Sequence, residues 1–248
     1  MLNSTIDQVS DEYFRTQDWD SYTPEDHEIW SILYKRRMEP LEKNGSRLFL
    51  DGARIIGLVE DEVPNLEKVN EILMERTGWS AVPVTGFIPA REFFLCLAQR
   101  RFPTTVIVRP REKLDYLQEP DIFHDVFGHV PLHAESIFAD FLQKFGAVAA
   151  EARTEEETTQ MARLFWFTVE FGLVKEDGET KVYGSGLISS HADAANALGP
   201  NCDRRPFDLD AVINQHFEID VLQDVLFVVD DFHQLFDAVT EMERRLHL

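Results

Sequence analysis

Apolar residues recur at helical spacing along most of the chain. Thr23-Pro24-Glu25-Asp26 offers a capping hydroxyl, a proline for the first helical position and two acids for the first turn. Ile29, Trp30, Leu33 and Tyr34 then fall on one face, predicting a helix that runs to about Glu42 and ends before Asn44-Gly45. The same period puts Leu66, Val69, Ile72 and Leu73 on one face between Asn65 and Arg76. It turns Phe93, Phe94, Leu97 and Ala98 inward between Pro89 and Arg101, and Phe138, Phe141, Leu142 and Phe145 inward between Ala134 and Ala152. Further helices are predicted from Glu156 to about Val174, Ser189 to Leu198 and Asp231 to Leu246. Strand patterns are short. Thr104 to Val108 is β-branched and bounded by prolines, a strand that delivers Arg109 at its end. Asp177-Gly178 is a turn signal, Lys181 to Gly186 reads as a small strand running into a glycine-rich bend, and Asp220 to Val229 as a strand-like run. Trp79 to Pro89 mixes breakers with apolar groups and reads as an extended buried loop.

Helices therefore outnumber strands, and no repeat or composition break marks a second domain. The expected fold is mainly α: one domain of packed helices over residues 23–248 with small peripheral β-strands, preceded by an arm, residues 1–22, anchored by Tyr13, Phe14 and Trp19. With 248 residues, 44% of them hydrophobic, the chain can bury a sizeable core, and 19 phenylalanines and 4 tryptophans make that core aromatic. The 24 basic residues are outnumbered by 45 acidic ones, a formal charge of −21 that disfavours nucleic acid and anionic membranes as partners. Cys96 and Cys202 lack metal-site spacing and suit a reduced, cytoplasmic setting; the N-terminal sequence has no secretory pattern, so a soluble, unexported protein is expected.

Two segments carry candidate chemistry. Pro120 to Leu132 holds His124 and His129 among apolar residues; Leu164 to Val174 contains a single charged residue, Glu170. At helical spacing the neighbours of Glu170 are Trp166, Phe167, Leu173 and Val174, so the carboxylate would lose its hydration unless a cation or strong donors replaced it. A divalent metal is one such cation and a buried arginine another. At about 100° per residue, histidines five apart diverge on a helix, so they converge only if the chain turns between them; Gly128 permits a turn and Pro131 stops a helix from continuing. His133 is a rival ligand, separated from His129 by that proline. Two imidazoles and one carboxylate leave one face of a metal open, the arrangement of non-haem iron(II) oxygenases; zinc hydrolases use the same ligand types, but their His-Glu-x-x-His spacing is not present, since Asp125 follows His124.

Asp121 to Leu132, Trp166 to Gly172 and Tyr183 to Ser190 resemble the signature segments of the pterin-dependent aromatic amino acid hydroxylases. From about Tyr22 to Leu246 the chain is similar to the bacterial single-domain phenylalanine 4-hydroxylases of that family. The resemblance implies a catalytic domain in which His124, His129 and Glu170 bind Fe(II). It implies that dioxygen and a tetrahydropterin react beside the metal to hydroxylate phenylalanine to tyrosine, with tryptophan or another ring position as the alternative. It further implies that Arg109 pairs with the substrate carboxylate, with Gly186 and Ser189 beside it, and that Trp166 forms part of the ring pocket. Gly86, Ile88, Ala90 and Phe93 would cradle and stack the pterin, with Asp125 reaching it through water. A monomer is implied too, without the regulatory domain and tetramerising helix of animal members. Two departures stand out: Phe165 occupies a position where many members have tyrosine, which removes a hydroxyl near the metal, and Leu117-Gln118 replaces the Thr-Pro of animal members.

Overall fold

The computed structural model describes residues 9–248 apart from Phe87, Tyr116 and Gln118. The first eight residues of the predicted arm, Phe87 in the loop expected to cradle the pterin and Gln118 of the Leu117-Gln118 departure thus lie outside the described residues. Helix α1 (Pro24–Asn44) starts as its caps dictate: the Thr23 hydroxyl accepts from the Asp26 N–H and the Asp26 carboxylate accepts from the Thr23 N–H, with Pro24 at the first position. Helix α2 (Arg47–Ile55) was not foreseen; Ser46 caps it, and Gly52 lets it lie against Pro131, whose carbonyl oxygen would be 2.0 Å from a Cβ at that glycine. Helix α3 (Leu66–Arg76) follows its Asn65 cap as predicted.

Part of the expected buried loop is instead strand β1 (Ser80–Pro83). Helix α4 (Ala90–Ala98) follows, then strand β2 (Arg101–Thr104), which pairs parallel to β1 with Pro83 opposite Thr104. The β-branched run after Thr104 is therefore mostly not strand: its partner ends at Pro83, and without a ladder propensity alone does not hold β-structure. Arg109 sits five residues past β2 rather than at its end.

Next come a π-helical turn, Phe123–His129, and a 3₁₀ turn, Val130–Ala134, that carries Pro131 near its start. Helices α5 (Ser136–Ala150) and α6 (Glu155–Phe165) follow. The long helix predicted to Val174 ends early: α6 gives way to a second π turn, Trp166–Glu170, closed by the Phe171 N–H donating to the Trp166 carbonyl at 2.8 Å, and then to β3 (Leu173–Glu176). Leu173 and Val174 neighbour Glu170 from a strand, not a helix. β3 forms a hairpin with β4 (Glu179–Val182) around Asp177-Gly178. The supposed glycine-rich bend is a short helix, α7 (Ser185–Ser189), followed by α8 (His191–Leu198), β5 (Asp203–Pro206), α9 (Leu209–Asn214), β6 (Val225–Val229) and α10 (His233–Arg245). The second sheet has strand order β4-β3-β6-β5. The fold is mainly helical with two small sheets, as expected, and no helix among the described residues is long and apolar enough to cross a membrane.

The aromatic core fixes the first π turn. Phe123 and Phe127 stack at 4.4 Å; Trp30 of α1 meets Phe123 edge-on at 5.4 Å, and Phe49 of α2 meets Phe127 at 5.6 Å. All four are buried, and each such ring stabilises the fold by roughly 1.5–3 kcal/mol through removal from water. α7 packs on this turn, and α4 packs along α5. Of the arm, Phe14 bridges to Val84 and the Trp19 indole donates to the Val63 carbonyl at 2.7 Å, so residues 9–22 are tied to the body.

Candidate metal centre

The convergence of His124 and His129 comes from the π turn. Its i→i+5 geometry widens each turn enough to bring residues five apart towards one face, which an α-helix does not do. The rings lie 5.1 Å apart at 87°. Gly128 has ordinary backbone angles; its service is close approach, since a Cβ there would lie 3.1 Å from the Ser185 carbonyl oxygen. The second π turn delivers Glu170, with Oε1 3.3 Å from His129 Nε2 and Oε2 3.7 Å from His124 Nε2. One donor atom from each residue lies within 4.8 Å of the others, and among the described residues this is the one such grouping of histidine, cysteine and carboxylate side chains.

Electrostatics suit a cation at that point. Burial alone would raise the Glu170 acid, but the His129 and His124 imidazoles and the Ser185 hydroxyl outweigh it and draw it down to about 2. Glu170 is thus ionised over the whole physiological range. The tautomer of His124 follows from its neighbours. The Ser189 hydroxyl donates to the Ser185 carbonyl at 2.8 Å, so at 2.9 Å it accepts from His124 Nδ1, which turns Nε2 towards Glu170. The rival, His133, lies elsewhere: it is buried and stacked on Trp79 at 4.6 Å, with neither ring nitrogen hydrogen-bonded.

Arg109 is 8% exposed and already bound to a carboxylate, a residue that sequence reasoning did not single out. Its Nε and Nη2 donate to Asp121 Oδ2 and Oδ1, each at 2.8 Å, and Asp121 also accepts the His124 N–H at 3.0 Å. Asp121 therefore joins the candidate substrate arginine to the histidine turn. Nη1 donates to the Leu114 carbonyl at 3.3 Å, which leaves one proton each on Nη1 and Nη2 as an outward fork. Ser189 bonds to His124 and Ser185 rather than to Arg109. Gly186, in α7, approaches the Glu170 carbonyl and the Phe171 ring, each 3.1 Å from where its Cβ would be. Trp166 is sandwiched between Phe171 at 4.6 Å and Phe217 at 4.4 Å, so both ring faces are taken.

The predicted pterin residues lie around α4. Gly86 holds φ +150°, Ile88 is buried and Ala90 begins the helix. Phe93 meets Phe102 edge-on at 6.0 Å, and Phe102 lies 4.7 Å from the His129 ring, which connects this side of the fold to the metal ligands. Asp125 is buried; its Oδ2 accepts the Thr105 N–H and hydroxyl at 2.6 and 2.8 Å, and desolvation holds its acid above the usual carboxylate range despite the nearby histidines. Phe165 packs on Phe93 and Phe145 at 5.7 and 5.6 Å. No sequence signal distinguishes Thr105, Ser185 or Asp121, because each contact joins positions remote in the chain.

Two imidazoles and one carboxylate, held by two π turns of a helical domain, are the donor set of a mononuclear non-haem metal centre. The chain belongs to the biopterin-dependent aromatic amino acid hydroxylases, whose family model matches residues 6–247. Phenylalanine-4-hydroxylase of Chromobacterium violaceum is 41% identical over 239 residues, 95% of this chain and 80% of that protein; the Ralstonia nicotianae enzyme is 42% identical over 220 residues, 88% and 70%. The crystal structure of the Chromobacterium enzyme with bound Fe(III) superposes with a TM-score of 0.92 at 40% identity, covering 97% of this chain and 88% of that one. Others hold cobalt, or iron(III) with 7,8-dihydrobiopterin, each with a TM-score of 0.90.

Proposed function

We infer that this protein is a monooxygenase that converts L-phenylalanine to L-tyrosine with dioxygen and a tetrahydropterin at an iron(II) centre. The observation that carries the reading is the meeting of His124, His129 and Glu170 within 4.8 Å, in a chain 41% identical to a phenylalanine-4-hydroxylase. The donor set fits iron(II): the ionised Glu170 supplies charge and the two imidazole nitrogens supply softer ligands. When bound, iron(II) would activate dioxygen and the tetrahydropterin would supply two electrons, one oxygen atom entering the ring and the other being reduced to water.

The chain's own part is binding and orientation. The Arg109 fork, braced by Asp121, suits the amino acid carboxylate. Trp166, fixed between two phenylalanines, offers a rigid edge to the substrate ring. Ser189, which donates to the Ser185 carbonyl, would accept from His124 Nδ1 and so free Nε2 for the metal. Gly86, Ile88, Ala90 and Phe93 would cradle the pterin, with Asp125 nearby as an acceptor anchored by Thr105. The reading includes a monomer and a cytoplasmic location; for the latter, the two buried free thiols, Cys96 and Cys202, suit a reducing compartment.

The deciding experiment incubates iron-loaded protein with tetrahydropterin and, separately, phenylalanine, tryptophan and tyrosine. Tyrosine formation from phenylalanine is expected, with loss of both iron and activity in Glu170→Ala. Hydroxylation of tryptophan in preference to phenylalanine, or a ring position other than four, would reassign the substrate; full iron occupancy in Glu170→Ala would refute the site.

A further inference from the structure

Glu170 is held from a second side. Helix α7 packs on the first π turn and touches the second, and its two terminal hydroxyls reach two different candidate ligands. Ser189, at the end, engages His124. Ser185, at the start, is fully buried, with Oγ 2.7 Å from Glu170 Oε2. The alternative acceptor, the Val169 carbonyl, is 3.4 Å away, so the hydroxyl proton belongs to the carboxylate. The backbone around this contact has little room to move. A Cβ at Gly184 would lie 2.4 Å from the Glu170 carbonyl oxygen, and one at Gly128 would lie 3.2 Å from Ser185 Cβ. Ser185 is therefore wedged between the turns that carry all three ligands. Phe165, packed on Phe93 and Phe145, brings no donor of its own.

We propose that Ser185 is a positioning residue of the metal centre: its hydroxyl engages Glu170 Oε2 and so presents Oε1, the oxygen 3.3 Å from His129 Nε2, as the atom for the metal. An unrestrained carboxylate rotates about its Cγ–Cδ bond and exposes either oxygen or both to an ion. A donor fixed on one oxygen removes that freedom and preserves the open positions that the chemistry requires. The inference rests on the reading of His124, His129 and Glu170 as metal ligands.

Cobalt(II) is the probe, because its visible absorption reports coordination number without turnover. Wild type and Ser185→Ala are loaded with cobalt(II), their spectra recorded, and release to a chelator followed; urea unfolding of the metal-free proteins checks the fold. Alanine is a good helix former, so α7 is expected to persist. The expected result is cobalt release faster by roughly tenfold to a hundredfold in Ser185→Ala, with a changed visible band intensity and an unfolding transition as cooperative as wild type. An unchanged spectrum and release rate would overturn the role of Ser185 while leaving the metal reading intact. Faster release with an unchanged spectrum and a collapsed unfolding transition would overturn it also, as a purely structural effect. A wild type that takes up no cobalt removes both readings.

Discussion

Removing Asp121 tests how Arg109 is held. The carboxylate is wholly buried and accepts four hydrogen bonds, from Arg109 Nε, Nη2 and N–H and from the His124 N–H. The arginine side chain facing it is 9% exposed. Asp121→Leu would leave a buried guanidinium without a counter-charge and two backbone N–H groups without acceptors. Breaking such a pair costs roughly 3–5 kcal/mol, and the orphaned N–H groups add to it without strict additivity. Against a typical domain stability of about 5–15 kcal/mol, this is a large loss. Urea unfolding followed by tryptophan fluorescence would read it as a lower midpoint at unchanged slope. The source of the loss is tested by Asp121→Leu combined with Arg109→Met, which removes the stranded charge. The double variant is expected to recover at least about 2 kcal/mol relative to Asp121→Leu alone. Equal stabilities of the single and double variants would refute the argument that an uncompensated charge dominates. The milder Asp121→Asn is expected to raise KM for phenylalanine more than it lowers kcat.

Three further outcomes follow from the geometry. Gly172→Ala is expected to destabilise by more than about 3 kcal/mol, seen as poor soluble yield, because its Cβ would lie 2.1 Å from Tyr183 Cζ and 2.2 Å from the Thr168 carbonyl oxygen. Ser189→Ala should weaken iron(II) affinity by roughly tenfold to a hundredfold in chelator competition, since it frees the His124 tautomer. Burial holds His133 well below the ordinary imidazole range, so it is neutral when folded. Its unfolded counterpart takes up a proton below about pH 6.5, so stability is full above that pH and falls by about 1.4 kcal/mol per unit below it. His133→Phe, which keeps the stack on Trp79 and removes two unpaired nitrogens, should be neutral or stabilising and should flatten the acid limb that begins below about pH 6.5 in urea titrations at fixed pH.

Local physics accounts for what was legible. The Thr23/Asp26 capping box and Asn65 start α1 and α3 where the residues say, because caps act within three or four positions. The run 220–229 contains β6, though the strand is only Val225–Val229. The errors occur where partners are distant. Thr104 to Val108 has strand propensity but outlasts its ladder on β1. The predicted helix through Glu170 breaks into a π turn and a strand because Leu173 pairs with Val182 and Val228. α2 depends on Gly52 lying against Pro131, a contact far off in sequence.

The sequence alone narrowed the ligand set. A lone carboxylate in an apolar run needs a cation or strong donors in place of water, a matter of solvation rather than of fold, and the resemblance to the hydroxylases singled out His124, His129 and Glu170. The sequence also determined the predominance of helix, through the period of its apolar residues. The tertiary structure decided how the ligands meet: one π turn brings His124 and His129, five apart, towards one face, a second delivers Glu170, and α7 brings one hydroxyl to His124 and another to Glu170. It decided, too, that Arg109 is braced by Asp121 and that His133 belongs to the core. These outcomes depend on packing between segments remote in the chain, which side-chain spacing does not encode.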